Sequence, residues 1–141
     1  MRGYTDNIET LTKLNKDYRR VLYTGCFLQL VLMTLKPGED IGEEVHTDRD
    51  QFFRIEKGQG KFIVDGHSHP VVSGSAFIAP AGSHHNIRNT GSKRLKLYTL
   101  YGPPNHLDQL IQKTKAVATL SHEKFDGGTT EESFEPAHQV A

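Results

Sequence analysis

An all-β sandwich or barrel is the fold class this sequence predicts. Some eight to ten short segments rich in β-branched, aromatic and leucine residues recur through the middle of the chain, with turn signals roughly every 8 to 12 residues. Asp65-Gly66 stands between two of these segments as a two-residue hairpin signal. No internal repeat is visible beyond this hairpin rhythm. Small barrels of this kind can hold one ligand in their interior.

Residues 1–17 are polar, with weak helical spacing at Ile8, Leu11 and Leu14, and are read as an arm that packs on a neighbouring subunit. Tyr18 to Thr24 and Phe27 to Leu35 read as strands parted by Gly25-Cys26, and Pro37-Gly38 ends the second. Glu44 to His46 and Gln51 to Glu56 read as two strands pairing as a hairpin across the turn-prone Thr47-Asp48-Arg49-Asp50. Lys61 to Val64 and His67 to Val72 flank Asp65-Gly66, and Gly74 turns into Ala76 to Ala79. Beyond Pro80-Ala81-Gly82, His85, Ile87 and Asn89 share one strand face, and Asn89-Thr90-Gly91 turns before Arg94 to Tyr101. Pro103-Pro104 stops that strand. Leu107, Leu110, Ile111 and Val117 have helix-like spacing, which predicts a short helix over 106–120. From Phe125 the chain offers little to bury, so a mobile tail is expected. The organisation is an arm (1–17), a barrel (18–104), and a C-terminal helix and tail (105–141).

Composition narrows the function classes. With 141 residues the chain makes one domain large enough for its own core. Formal net charge is zero and no basic block interrupts the sequence, which argues against nucleic acid or an anionic membrane surface as partner. The longest apolar run, Cys26 to Leu35, contains Gln29 and Thr34 and is half of the roughly 20 residues a membrane span needs. The first residues have no apolar signal-peptide core, and a single cysteine excludes an intrachain disulfide framework. A cytoplasmic location is expected.

Chemistry concentrates in two stretches. Between Gly38 and Gly60, Glu44 and His46 are two residues apart and project from one strand face, while Gln51, Phe53 and Ile55 share a face of the next strand. A carboxylate, an imidazole and an amide carbonyl meeting on an apolar face fill a core poorly but hold a cation well. Between Gly74 and Asn89, His85 supplies a further ligand. These stretches resemble the two motifs of the cupin superfamily. The second fits fully: Gly74, five residues, Pro80, one, Gly82, two, His85, three, Asn89. The first fits in spacing, from Gly38 to the closing Gly58, but Glu44 stands where cupins usually carry the first histidine and Gln51 where they carry the glutamate.

The resemblance implies a double-stranded β-helix, the cupin or jelly-roll barrel. It also implies a metal site of Glu44, His46, Gln51 and His85, two of whose positions depart from the commonest set. Glu44 also reads as a solvated strand-end carboxylate, and Gln51 as a group that hydrogen-bonds a bound water or substrate. His84 has the parity of the outer face, Asn89 reads as a turn former, and Cys26 as structural. His67 and His69 lack a partner cluster. Tyr98 and Tyr101 have opposite parity, so only one lines a cavity; with Asp48 they are the candidates for a general base.

Two imidazoles, a carboxylate and an amide, without thiolate, suit a divalent transition metal: Fe(II), Mn, Ni or Zn. Glu44, His46 and His85 alone match the two-histidine, one-carboxylate set of non-haem Fe(II) oxygenases. With Gln51, the set has the composition of cupin-type phosphomannose isomerases, with Glu and Gln exchanged. Three readings stay open. One is an isomerase-like or Fe(II) dioxygenase-like enzyme acting on a small polar or sugar-like molecule. Another is a non-catalytic ligand-binding or sensory module. The third is a metal-free structural cupin. An outward Phe52 and the apolar segment 27–35 suggest a homodimer.

Overall fold

In the computed structural model, which describes residues 1–131, the chain runs α1 (Ile8–Leu14), β1 (Arg19–Thr24), β2 (Gln29–Leu35), β3 (Glu44–Val45), β4 (Asp50–Lys57), β5 (Gln59–Val64), β6 (His67–Val72), β7 (Ala76–Ala79), β8 (His84–Asn89), β9 (Leu95–Gly102), β10 (Ile111–Gln112) and α2 (Lys115–Leu120). Its strands form a six-stranded sheet, β10-β1-β2-β9-β4-β7, and a four-stranded sheet, β3-β8-β5-β6. Period-two patterning puts Val31, Met33, Phe53, Ile55 and Leu97 of the larger sheet against Phe62, Val71 and Ile87 of the smaller one. Phe77 ties the layers together, with ring centroids 5.1 Å from Phe53 and 4.4 Å from Phe62.

Strand β2 is buried along most of its length, including the outward-facing Leu32 and Thr34. The helix α1 packs on the neighbouring β4 and β9, and its C-cap residue Asn15 covers Thr34, so the outer side of this strand is not free to be polar and exposed. Asn7 caps the helix by accepting from Thr10 N–H at 3.0 Å. At the other end Asn15 Nδ2 donates to Thr34 Oγ1 at 3.1 Å, and Thr34 Oγ1 donates to Asn15 O at 2.8 Å. The helix of the arm is therefore anchored on its own sheet.

Asp65 and Gly66 both have positive φ, 45° and 80°, as a type I′ hairpin requires. Asp65 Oδ1 also accepts from His84 N–H at 2.8 Å, tying the hairpin to β8.

Two expectations need correction. Strands β3 and β4 do not pair as a hairpin: β3 pairs with β8 in the small sheet, while β4 lies between β9 and β7 in the large one. The segment joining them crosses between layers, held where Gly82 N–H donates to His46 O at 2.7 Å and Ala81 N–H to Asp50 Oδ1 at 2.8 Å. The C-terminal helix is confined to Lys115–Leu120, capped by Thr114. Residues ahead of it are held by the barrel. Gln29 Oε1 accepts from the backbone of Asn105 and His106 at 3.0 and 2.9 Å, Val21 N–H donates to Leu110 O at 2.9 Å, and residues 111–112 pair with β1. Their backbone groups are thus spent outside a helix.

The start of the expected mobile tail is tied back as well. Thr130 N–H donates to Thr24 O at 2.9 Å, and Glu131 accepts from Tyr23 Oη at 2.5 Å. The rest of that expectation, 132–141, lies outside the described residues. Among the described residues no helix is long and apolar enough to cross a membrane.

Candidate metal centre

Cross-strand register builds this site. Glu44 lies directly opposite His85 in the β3–β8 ladder, so both side chains project from one face of the small sheet. Gln51, opposite Tyr101 in the large sheet, reaches them across the interior. Glu44, His46 and His85 each offer one ligand atom, all within 4.8 Å of one another. His46 Nε2 is 3.0 Å from Glu44 Oε2, and His85 Nε2 is 3.9 Å from the same oxygen and 3.2 Å from Gln51 Oε1. Donors bonded at about 2.0–2.2 Å to one ion lie about 3 to 4 Å apart, so the spacing suits a shared cation.

The hydrogen-bond logic points the same way. Thr99 Oγ1 donates to Phe52 O at 2.8 Å, so toward Gln51 it can only accept, and it does so from Nε2 at 3.0 Å. That fixes the amide with its carbonyl oxygen toward His85. His85 Nδ1 faces Ser83 O at 3.4 Å, and the tautomer with its proton on Nδ1 presents a lone pair on Nε2 to the centre. Three acceptors, the Glu44 carboxylate, Gln51 Oε1 and His85 Nε2, then converge on one point. Only a proton or a cation reconciles them, and the oxygen and nitrogen donors fit a divalent transition metal.

Burial is graded across the centre. The His85 side chain is 2% exposed, His46 15% and Glu44 26%, so the site opens to solvent on the Glu44 and His46 side. Burial lowers the His85 pKa and keeps the imidazole neutral, the form that binds metal. Burial alone would raise the Glu44 pKa, but the hydrogen bond and charge of His46, with lesser help from Arg19 and His85, hold it below its ordinary value.

Structure also adds residues that the motifs did not reveal. Tyr101 is the tyrosine that faces inward, 1% exposed, with its ring at 83° to that of His46 and centroids 6.0 Å apart. Its hydroxyl lies 3.2 Å from His106 Nε2, and His106 Nδ1 lies 2.5 Å from Glu123 Oε1. The Glu123 carboxylate can only accept, so His106 Nδ1–H donates to it and Tyr101 Oη–H donates to Nε2. Burial raises the Tyr101 pKa and lowers that of His106, so both are neutral at pH 7. Arg19, 7% exposed, donates through Nη1 to Gln112 Oε1 at 2.6 Å while its Nε has no hydrogen-bond partner. Its charge acts on Glu44, Tyr101, His106 and Glu123. The inward parity of Arg19 and Tyr101 was readable in the strands, but nothing in the spacing of His106 and Glu123 pointed to the barrel.

Other candidates fall where their parity put them. His84 is exposed, as are His67 and His69. Asn89 is buried and serves the turn, donating to Leu35 O and Lys93 O at 3.0 and 2.8 Å and accepting from Gly91 N–H at 2.9 Å. Asp48 is bound to Arg49 at 2.9 Å on the surface.

A family profile described as "Cupin domain" matches residues 31–101, half of the chain. The chain belongs to this family. Among cupin relatives, the uncharacterized YrkC protein of Bacillus subtilis is 44% identical over 124 residues, covering 83% of this chain and 66% of that protein. The present cupin thus spans just under two thirds of that relative's length. An oxalate-binding protein of Thermotoga maritima is 31% identical over 96 residues, covering 68% of this chain and 76% of its own. Among solved structures, BH2720 from Bacillus halodurans superposes with a TM-score of 0.84 at 42% identity, over 85% of this chain and 96% of that one.

Proposed function

We propose that this cupin binds one divalent transition metal through Glu44, His46, Gln51 and His85 and takes a small oxygen-rich anion as its ligand there. The observation that carries this reading is the convergence of Glu44 Oε2 and Gln51 Oε1 on His85 Nε2, at 3.9 and 3.2 Å, an arrangement of acceptors that a shared cation reconciles. Such a metal, when bound, supplies Lewis-acid polarisation of ligand oxygens or, as Fe(II), O2 chemistry.

The chain's own residues select the ligand. Arg19 brings a buried positive charge with an unused Nε donor to the same interior, which favours a carboxylate over a neutral sugar. Tyr101 and the His106–Glu123 pair close the inner end against water, and the more exposed Glu44 and His46 side admits the ligand. One relative's name, an oxalate-binding protein, agrees with this ligand class.

The test is calorimetric titration of oxalate into protein loaded with Mn(II) or Zn(II). Saturable binding is expected in the wild type, weakened about ten-fold or more in Arg19→Met, the loss of one charge-assisted contact. Equal affinity in both proteins would refute the ligand assignment. A second reading, a binding module without turnover, is favoured by the Tyr101 hydroxyl being already engaged by His106.

A further inference from the structure

At the far end of the barrel from the metal centre, five cations meet around one groove. The register of β4 and β9 pairs Gln51 with Tyr101 at one end and Lys57 with Lys96 at the other. At about 3.3 Å per residue the two ends lie roughly 17–20 Å apart. The groove has a volume of about 470 Å3 and is lined by Lys13 from α1, Lys57 from the end of β4, Lys93 and Arg94 from the β8–β9 turn, and Lys96. The sequence shows only the short Lys93-Arg94-Leu95-Lys96 cluster; folding adds Lys13 and Lys57 from two other segments, in a chain with zero formal net charge.

This arrangement repels itself. Among the described residues only Lys13 of the five has an ion-pair partner, Glu9 at 2.7 Å, and the nearby Glu56 is engaged by Arg54 at 3.1 Å. A register shift between Ile55 and Lys57 sets Lys57 directly opposite Lys96, and like charges facing across strands destabilise a sheet. Lys96 is 8% exposed, and its Nζ is held by the carbonyl of Asn15. Burial lowers its pKa, and the neighbouring Arg94, Lys57 and Lys16 lower it further. Among the described residues no carboxylate pairs with Lys57, Lys93, Arg94 or Lys96, so these four charges call for an external counter-charge.

We propose that this groove binds a compact multivalent oxyanion, a small ligand carrying two or more phosphate groups. Several lysines and an arginine around a space larger than one phosphate match such a ligand in both charge and number of acceptor oxygens.

Inorganic pyrophosphate is the probe, titrated into the full chain at low ionic strength and followed by amide NMR and calorimetry. One saturable site is expected, with shifts centred on Lys57, Lys93, Arg94 and Lys96. The exposed-residue variants Lys57→Ser and Arg94→Ser, checked for folding by circular dichroism, should each weaken binding about ten-fold. Lys61→Ser, on the other sheet, should leave it unchanged. A His46→Ala, His85→Ala double variant should keep full affinity, which excludes chelation of a metal as the source. Added salt should weaken binding progressively. The proposal is overturned by absence of saturable binding at millimolar pyrophosphate, or by an equal loss in Lys61→Ser. Loss of binding in the histidine double variant would overturn it too, as would tighter binding of a single-stranded oligonucleotide through the same residues.

Discussion

Thr99 sets the orientation of Gln51: its hydroxyl, committed as a donor to Phe52 O, can only accept from Gln51 Nε2, and so turns the amide oxygen toward His85. The candidate metal centre therefore has a support beneath it whose removal deletes none of the four proposed ligands.

Metal affinity should report this support. Thr99→Val frees the Gln51 amide to rotate and is expected to weaken metal binding by about ten-fold, the scale of losses when a ligand's orienting partner is removed. Gln51→Ala removes a neutral donor and should cost less than His85→Ala, which removes a buried imidazole. Competition with a chromophoric chelator measures all three. A larger loss in Gln51→Ala than in His85→Ala contradicts this ranking.

Acidification should destabilise the metal-free protein. Burial, stronger than the opposing bond from Glu123, lowers the His106 pKa below its ordinary 6.5, so below that pH the unfolded chain takes up a proton that the folded one resists. Burial would raise the Glu123 pKa, but the bonds from His106 and Leu107 N–H hold it below its ordinary 4.5, so its contribution is present above that pH and lost as pH falls through the folded value. His85, lowered by burial, acts with the same sign as His106. In each case the unfolded state binds more protons, and stability rises with pH. Urea unfolding at pH 7.5 and pH 5 should show the lower midpoint at pH 5, with a smaller difference in His106→Gln. A midpoint that rises on acidification contradicts the assignment.

Self-association should involve the outer face of the large sheet. Phe52 faces outward beside Tyr98, ring centroids 6.4 Å apart, and pairs with Ile78, which is 59% exposed. The apolar segment 27–35 contributes less than its sequence implied, because from residue 29 on it is β2, largely buried, leaving only Phe27 and Leu28 exposed. A homodimer at micromolar concentration is expected by sedimentation, and Phe52→Glu with Ile78→Glu should give a monomer. A wild-type monomer would remove the idea.

What was legible in the sequence was local. Asp65-Gly66 prescribes its own turn, and the two-residue offset of Glu44 and His46 follows from strand geometry, so the β-rich class and the shared face of Glu44 and His46 could be read directly. Partner choice was not. Thr47 to Asp50 looks like a hairpin turn, yet whether a polar tetrapeptide turns within a sheet or crosses between two depends on what waits on the far side, here Gly82 N–H and Ala81 N–H. The helical spacing of Leu107, Leu110 and Ile111 was real in the sequence but lost to Gln29, whose side chain captures the backbone at 105–106. His106, Glu123 and the groove around Lys96 are long-range meetings, and such meetings leave no periodic trace in a chain.

Elemental analysis of protein purified without an affinity tag, repeated on His46→Ala and His85→Ala, tests the central claim most directly. The account predicts close to one transition-metal ion per wild-type chain and a loss in both variants. A wild type that carries none, and that refuses added Fe(II), Mn(II), Ni(II) and Zn(II), would contradict it.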